Sequence, residues 1–148
     1  MTVLPAWMAQ FDGTAIEDKT GVSAILATAG DGWPHVAYLS GGEILAVSPD
    51  QIRLYLWPAS GTAQNLKASG RASLHSATGG IVWEARLTTS RLLADDRTFM
   101  AEMCVVDTIR HRAPYADVRA MIDFELADAA STLERWRGQI ARLGAFVQ

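Results

Sequence analysis

Few residues in this chain could do chemistry, and they are widely spaced. Ser60, Gly61 and Thr62 open the stretch SGTAQNLKASG, which reads as a short polar helix closed by Gly70. A helix start presents backbone N–H groups that have no intrahelical acceptor. Beside two hydroxyls they suit an anion such as a phosphate. An ordinary N-cap with a polar first turn would use the same three residues. His35, His75 and His111 show no H-x-x-H or H-E-x-x-H spacing, so no metal site is expected of them. No G-x-S-x-G elbow is present, which leaves Ser–His–Asp catalysis without support. Cys104 is the single cysteine; it follows Met103 near an apolar stripe and reads as a packed thiol rather than a nucleophile. Asp95 and Asp96 form an acid pair that helix capping alone would explain. Trp33 and Trp57 offer flat faces to a planar ligand, although strand aromatics more often fill cores and interfaces. No catalytic residue is therefore assigned.

The bulk of the chain bounds what these residues can serve. Its 148 residues suggest one domain, residues 1–148, long enough to bury a core without disulfides. It is 49% hydrophobic and 20% charged, the composition of a folded protein. With a net charge of −3, only 13 Lys and Arg, and no basic run, a nucleic-acid partner is not expected. No apolar stretch reaches the length of a membrane span, and the N-terminal residues lack a basic flank and an apolar run of signal-peptide length. A soluble, cytoplasmic protein is the expectation.

The elements that must position the residues are mostly strands. Residues 22–29, 35–40, 43–48 and 52–57 form apolar or alternating runs separated by Asp31-Gly32, Gly41-Gly42 and Pro49 turn signals. The polar helix at 60–69 interrupts them, and strands at 71–78 and 81–93 follow. Phe99, Met103, Val106 and Ile109, spaced four, three and three apart, predict a helix over 95–112. Asp95 or Asp96 would start it, Arg110, His111 and Arg112 would fill its last turn, and Pro114 would stop it. Residues 119–126 alternate again as a seventh strand. A last helix is capped by Ser131 with Glu134 and carries the stripe Leu133, Trp136, Ile140, Leu143 and Val147. The fold class that follows is mainly β, a small antiparallel barrel of six to seven strands. It has a short helix after the fourth strand and two further helices in the C-terminal third. An up-and-down barrel of lipocalin type is the rival, but it has no reason to place a helix between its fourth and fifth strands.

The phrases ATAGDGWPHVAYLS and IRLYLWPASGTAQNLKASGRASL, in this order and spacing, resemble the FMN-binding split-barrel family, the pyridoxamine 5′-phosphate oxidase-like proteins. The resemblance runs from about Val22 to about Leu93. It implies a homodimer of split barrels with an FMN in each of two grooves at the dimer interface. Carried over by position, the phosphate side falls on His35 and Ser40 of the second strand and on Ser60, Gly61 and Thr62. The isoalloxazine side falls on the backbone of Val36, Ala37, Tyr38 and Leu39, and on Tyr55, Leu56 and Trp57. Asn65 and Leu66 match a phrase that docks the helix. Family members place Arg or Lys at several phosphate positions, whereas His35, Ser40, Gly61 and Thr62 supply no Arg or Lys; Arg53 or Arg86 is the candidate substitute across a neighbouring strand.

Two functions follow from the resemblance. The first is an FMN-dependent oxidoreductase acting on a small molecule, in which the cofactor carries the electrons and the protein supplies position. The alternative is a non-catalytic split-barrel module binding a flavin, a deazaflavin or a haem-like planar ligand.

Overall fold

The computed structural model describes residues 3–30 and 32–146. Asp31 of the expected Asp31-Gly32 turn and Val147 of the expected terminal stripe lie outside the described residues. Seven strands alternate with three α-helices: α1 (Ala6–Ala9), β1 (Ser23–Thr28), β2 (His35–Ser40), β3 (Ile44–Ser48), β4 (Gln51–Leu56), α2 (Gly61–Ser69), β5 (Arg71–Thr78), β6 (Ile81–Ala94), β7 (Phe99–His111) and α3 (Ala129–Gly144). The strands form one antiparallel sheet in the order β2-β1-β5-β6-β7-β4-β3. Its two edges, β2 and β3, are consecutive in the chain. Gly41 and Gly42 carry the chain from one to the other, and the Glu43 carboxylate accepts hydrogen bonds from Ser40 N and Oγ across this turn.

The inward face of the rolled sheet is the core. Leu26, Leu39, Ile44, Ile52, Leu54 and Leu74 belong to one buried cluster. Trp7, Met8 and Phe11 of α1 and its following turn, together with Ala63 and Leu66 of α2, join the same cluster. Part of the outer face has its own cover: Leu45 of β3, Met100 of β7 and half-buried Tyr55 of β4 pack under Leu143, Phe146 and Ile140, so α3 lies over β3 and β4.

Three expectations are corrected. Residues 95–112 form no helix; their larger part is β7, the longest partner of β6. Asp95 caps a tight turn instead of a helix, its Oδ1 accepting from Arg97 N and Thr98 N at 2.8 Å each. Val106 is a bulge residue, since Arg86 pairs with Asp107 and Leu87 with Val105. A strand register thus replaces the helical stripe, and one long helix, not two, occupies the C-terminal third of the described chain. Residues 119–126 form no strand either. Ile122, Phe124 and Leu126 are half-buried while Asp123 and Glu125 are exposed, so the alternation is real. The neighbouring β1 already has β2 and β5 on its two edges. The segment is tied instead by Ile122 N donating to Ser23 Oγ, at 3.1 Å, and by a single bridge between Gly80 and Val118. The terminal helix begins earlier than Ser131: Asp128 is its N-cap, accepting from Ser131 N.

Candidate functional site

The start of α2 is built by local sequence. Ser60 sits in extended backbone, and its Oγ accepts from Ala63 N at 3.1 Å while donating to Trp57 O at 2.7 Å. The N–H groups of Gly61 and Thr62 belong to the first turn, where no intrahelical acceptor exists. Gly70 ends the helix in the left-handed region, with φ of 69°. On the buried side, Asn65 Nδ2 donates to Thr28 Oγ1 and Leu66 enters the core, which is how the helix docks on β1.

His35 reaches this helix start from β2. Its imidazole lies against Gly61 so closely that a methyl group on Gly61 would come within 3.3 Å of Cε1. Thr62 is 1% exposed, and its Oγ1 has no hydrogen-bond partner among the described residues. Four of the expected phosphate residues, His35, Ser60, Gly61 and Thr62, are therefore gathered at one place. The fifth, Ser40, is at the other end of β2, five residues or roughly 16 Å away, with its hydroxyl on Glu43. The gathered donors are an imidazole, a hydroxyl without a partner and first-turn N–H groups. This set fits a phosphate through N–H and O–H donors and the positive end of a helix dipole, without a guanidinium or ammonium. Arg53 does not stand in, because it donates to Glu102 Oε2 at 3.1 Å and to Leu143 O at 2.8 Å. Lys67 lies over the Phe99 ring.

The expected ring-contacting residues divide by direction. Val36 and Tyr38 are exposed, Ala37 is half-buried, and Leu39 points into the core. Leu56 is likewise a core residue, so it and Leu39 can offer only backbone to a ligand. β2 is a sheet edge with β1 as its ladder partner; among the described residues no strand covers its outer row of N–H and C=O groups, which apart from Ser40, held by Glu43, can meet the heteroatom edge of a planar ring. That free edge begins at His35, beside the α2 start.

Tyr55 and Trp57 face a second recess of about 490 Å³, walled by Glu43, Arg97, Arg135 and Gln139. Trp57 is 76% exposed, and Arg142 Nη1 donates to the Tyr55 hydroxyl at 3.1 Å. Burial pushes the Glu43 carboxyl above its ordinary value, and the hydrogen bonds from Ser40 offset part of that. Sequence reasoning missed Arg97 and Arg135 because they come from a turn read as a helix start and from the exposed side of a helix read only for its apolar stripe.

The histidines do more than their spacing implied. His75 and His111, on β5 and β7, flank Glu84 of β6, with Nε2 to Oε1 distances of 3.5 and 3.0 Å. The hydrogen bond from His111 holds Glu84 below the usual carboxylate value. Among the described residues no group of three or more His, Cys, Asp and Glu is placed to hold a metal ion. Cys104 is half-buried on β7, and no described helix is long and apolar enough to cross a membrane.

No family model matches the chain. It is 31% identical over 134 residues to the uncharacterized protein YclD of Bacillus subtilis, covering 85% of both chains. Solved structures of similar fold include an F420 reductase, with TM-score 0.54 and 11% identity over 72% of this chain and 98% of that one. A candidate pyridoxamine 5′-phosphate oxidase of Lactobacillus delbrueckii matches with TM-score 0.54 and 10% identity, over 73% of this chain and 93% of the other. A flavoredoxin of Methanosarcina acetivorans matches with TM-score 0.53 and 8% identity, over 74% and 89%.

Proposed function

We infer that this chain, which belongs to the same family as YclD and has the fold of the FMN-binding split-barrel proteins, is a flavin-binding oxidoreductase that uses FMN on a small molecule. The observation that carries the reading is the contact of His35 with Gly61. It sets the free edge of β2 against the open start of α2, so one bound molecule can meet both. In this reading the first-turn N–H groups, Thr62 Oγ1 and the His35 imidazole hold the phosphate. The free N–H and C=O groups of β2 hold the polar edge of the ring. Trp57 and Tyr55 lie toward the recess where a second molecule would approach. The flavin, when bound, supplies the hydride or electron transfer itself. The names of fold neighbours support the same reading: a reductase of F420, a flavoredoxin and an NADH:FAD oxidoreductase are among them.

The grooves are proposed to lie at the interface of a homodimer, because exposed Val36, Tyr38 and Trp33 surround the β2 edge. The lack of a guanidinium or ammonium among the phosphate donors favours a second reading, a binding module that holds its planar ligand without turnover, since a cationic donor would add its charge to each bond with the phosphate.

The test is an absorption titration of the full chain with FMN, repeated after desalting. One retained FMN per chain is expected. A Ser60→Ala, Thr62→Val variant should bind FMN at least about tenfold more weakly, since it loses the cap that orients the first-turn N–H groups and the Thr62 hydroxyl bond to a charged acceptor. Unchanged affinity removes the phosphate site from α2. Oxidation of a reduced nicotinamide by the loaded protein supports the oxidoreductase, and tight binding without turnover supports the module.

A further inference from the structure

A second set of polar side chains lies on the outer face of the sheet, on β5 and β6 and apart from the start of α2. In the β5–β6 ladder Arg71 is opposite Thr88 and Ser73 is opposite Arg86. All four line one groove of about 530 Å³. Directly opposite residues on one face have Cβ atoms about 5 Å apart and diagonal ones about 7–8 Å. The four therefore form a tile with guanidiniums on one diagonal and hydroxyls on the other. Among the described residues only Arg86 has a side-chain partner, its Nε donating to Glu84 Oε2 at 3.3 Å. No acidic residue among the described ones lines the groove. Asp107, opposite Arg86 on β7, has its Oδ1 engaged by Thr108 N. The walls beside the tile are apolar: Ala27, Pro34 and Val106. Val106 is there because the β6–β7 register shift at Arg86 leaves it unpaired, and it stands 61% exposed.

We propose that this groove binds a phosphate monoester with an apolar body. Arg71 and Arg86 take the phosphoryl oxygens, Ser73 and Thr88 donate hydroxyl hydrogen bonds, and Pro34 and Val106 pack against the body. Two guanidiniums on a sheet face present planar forks to a tetrahedral anion, a geometry a lone surface cation lacks. The proposal does not rest on the flavin reading, since it uses none of Ser60, Gly61 and Thr62.

The experiment is calorimetric titration of the full chain with phenyl phosphate, inorganic phosphate and phenol. Phenyl phosphate is expected to bind most tightly, inorganic phosphate more weakly, and phenol not measurably. Arg71→Gln and Arg86→Gln should each weaken phenyl phosphate at least about tenfold, and Arg71→Lys less, because the charge stays and the fork goes. Both arginines are exposed, so the fold should survive, which circular dichroism checks. Ser60→Ala, Thr62→Val should leave this binding unchanged. Unaltered affinity in the double glutamine variant overturns the proposal. Loss of binding in the Ser60, Thr62 variant alone also does, by placing the anion at α2. Equal affinity for inorganic phosphate overturns the ester. A double variant that changes oligomeric state but keeps affinity assigns the arginines to an interface instead.

Discussion

Glu102 shows how much one side chain can hold in place. It is 5% exposed on β7, yet charged, because Arg91, Arg53 and Ser90 all donate to it. The two guanidiniums continue outward: Arg53 donates to the carbonyls of Leu143 and Gly144, and Arg91 to that of Phe146. Both lie over the Phe146 ring, at 5.8 and 4.7 Å. The carboxylate thus fastens the end of α3, where cations also suit the helix dipole. The hydrogen bond from Arg91 is the largest influence on its pKa, and with Arg53 and Ser90 it outweighs desolvation and keeps Glu102 below 4.5. A lowered folded value means that the unfolded chain binds the proton more readily. The stabilisation is present above 4.5 and is lost as pH falls through the folded value. Glu102→Ala should cost about 3 kcal/mol at pH 7, because two guanidiniums lose their shared anion. Urea unfolding followed at pH 7 and at pH 3 checks both points. The wild-type protein should weaken between them, and the variant should have lost this component of the pH dependence.

At the scale of elements, α3 is held by shape as well as charge. Trp136 is fully packed against Gly42 in the β2–β3 turn, with no room for a methyl group there, and Gln139 Nε2 donates to Gly42 O at 2.8 Å. Gly42→Ala should therefore destabilise by about 2 kcal/mol, the usual cost of overpacking. Gly138, in the same helix, faces open space, and Gly138→Ala should stabilise by about 0.5–1 kcal/mol. Opposite shifts of the two melting temperatures check the docking. The same helix shows what the sequence made legible. Its stripe at Trp136, Ile140 and Leu143 points to the buried side, and strands with clean turn signals, β1 to β6, fall where expected. β7 was illegible for a physical reason. Two register shifts, at Arg86/Leu87 and Thr89/Arg91, break the two-residue period of the hairpin. Residues 99–103 are buried on both faces, inside the barrel and under α3. An apolar run buried on both sides has no alternation to read, and Val106 and Ile109 supply an accidental helical spacing. The Asp95 carboxylate then satisfies N–H groups in a turn as it would at a helix start. The order of phrases put β2 and α2 where the structure has them. Residue type alone could not show that Thr62 is buried, that Ser40 turns to Glu43, or that Arg71 and Arg86 share a face.

The whole molecule is covered unequally. α3 shields the outer face of β3 and β4, while β2, β1, β5 and β6 leave their outer face open to the groove that holds Arg71 and Arg86. On this side Tyr38 is 71% exposed and Val36, two residues away on the same face of β2, is also exposed. Apolar groups placed together on an open sheet edge are the usual mark of a surface with a partner. A second copy of the chain is the partner proposed above. Neither side chain is buried in a single chain, so Val36→Asp with Tyr38→Asp should leave the melting temperature of a monomer almost unchanged. If the two residues lie between copies, the two carboxylates must be desolvated on association, and the dimer should dissociate. Sedimentation of the wild-type chain should then give twice the mass of one chain, and the variant one chain mass with an unaltered circular dichroism spectrum. FMN retention should fall in the same variant, because each groove would have lost the wall contributed by the other copy. A variant that stays dimeric places the interface elsewhere and leaves the β2 edge to the ligand alone.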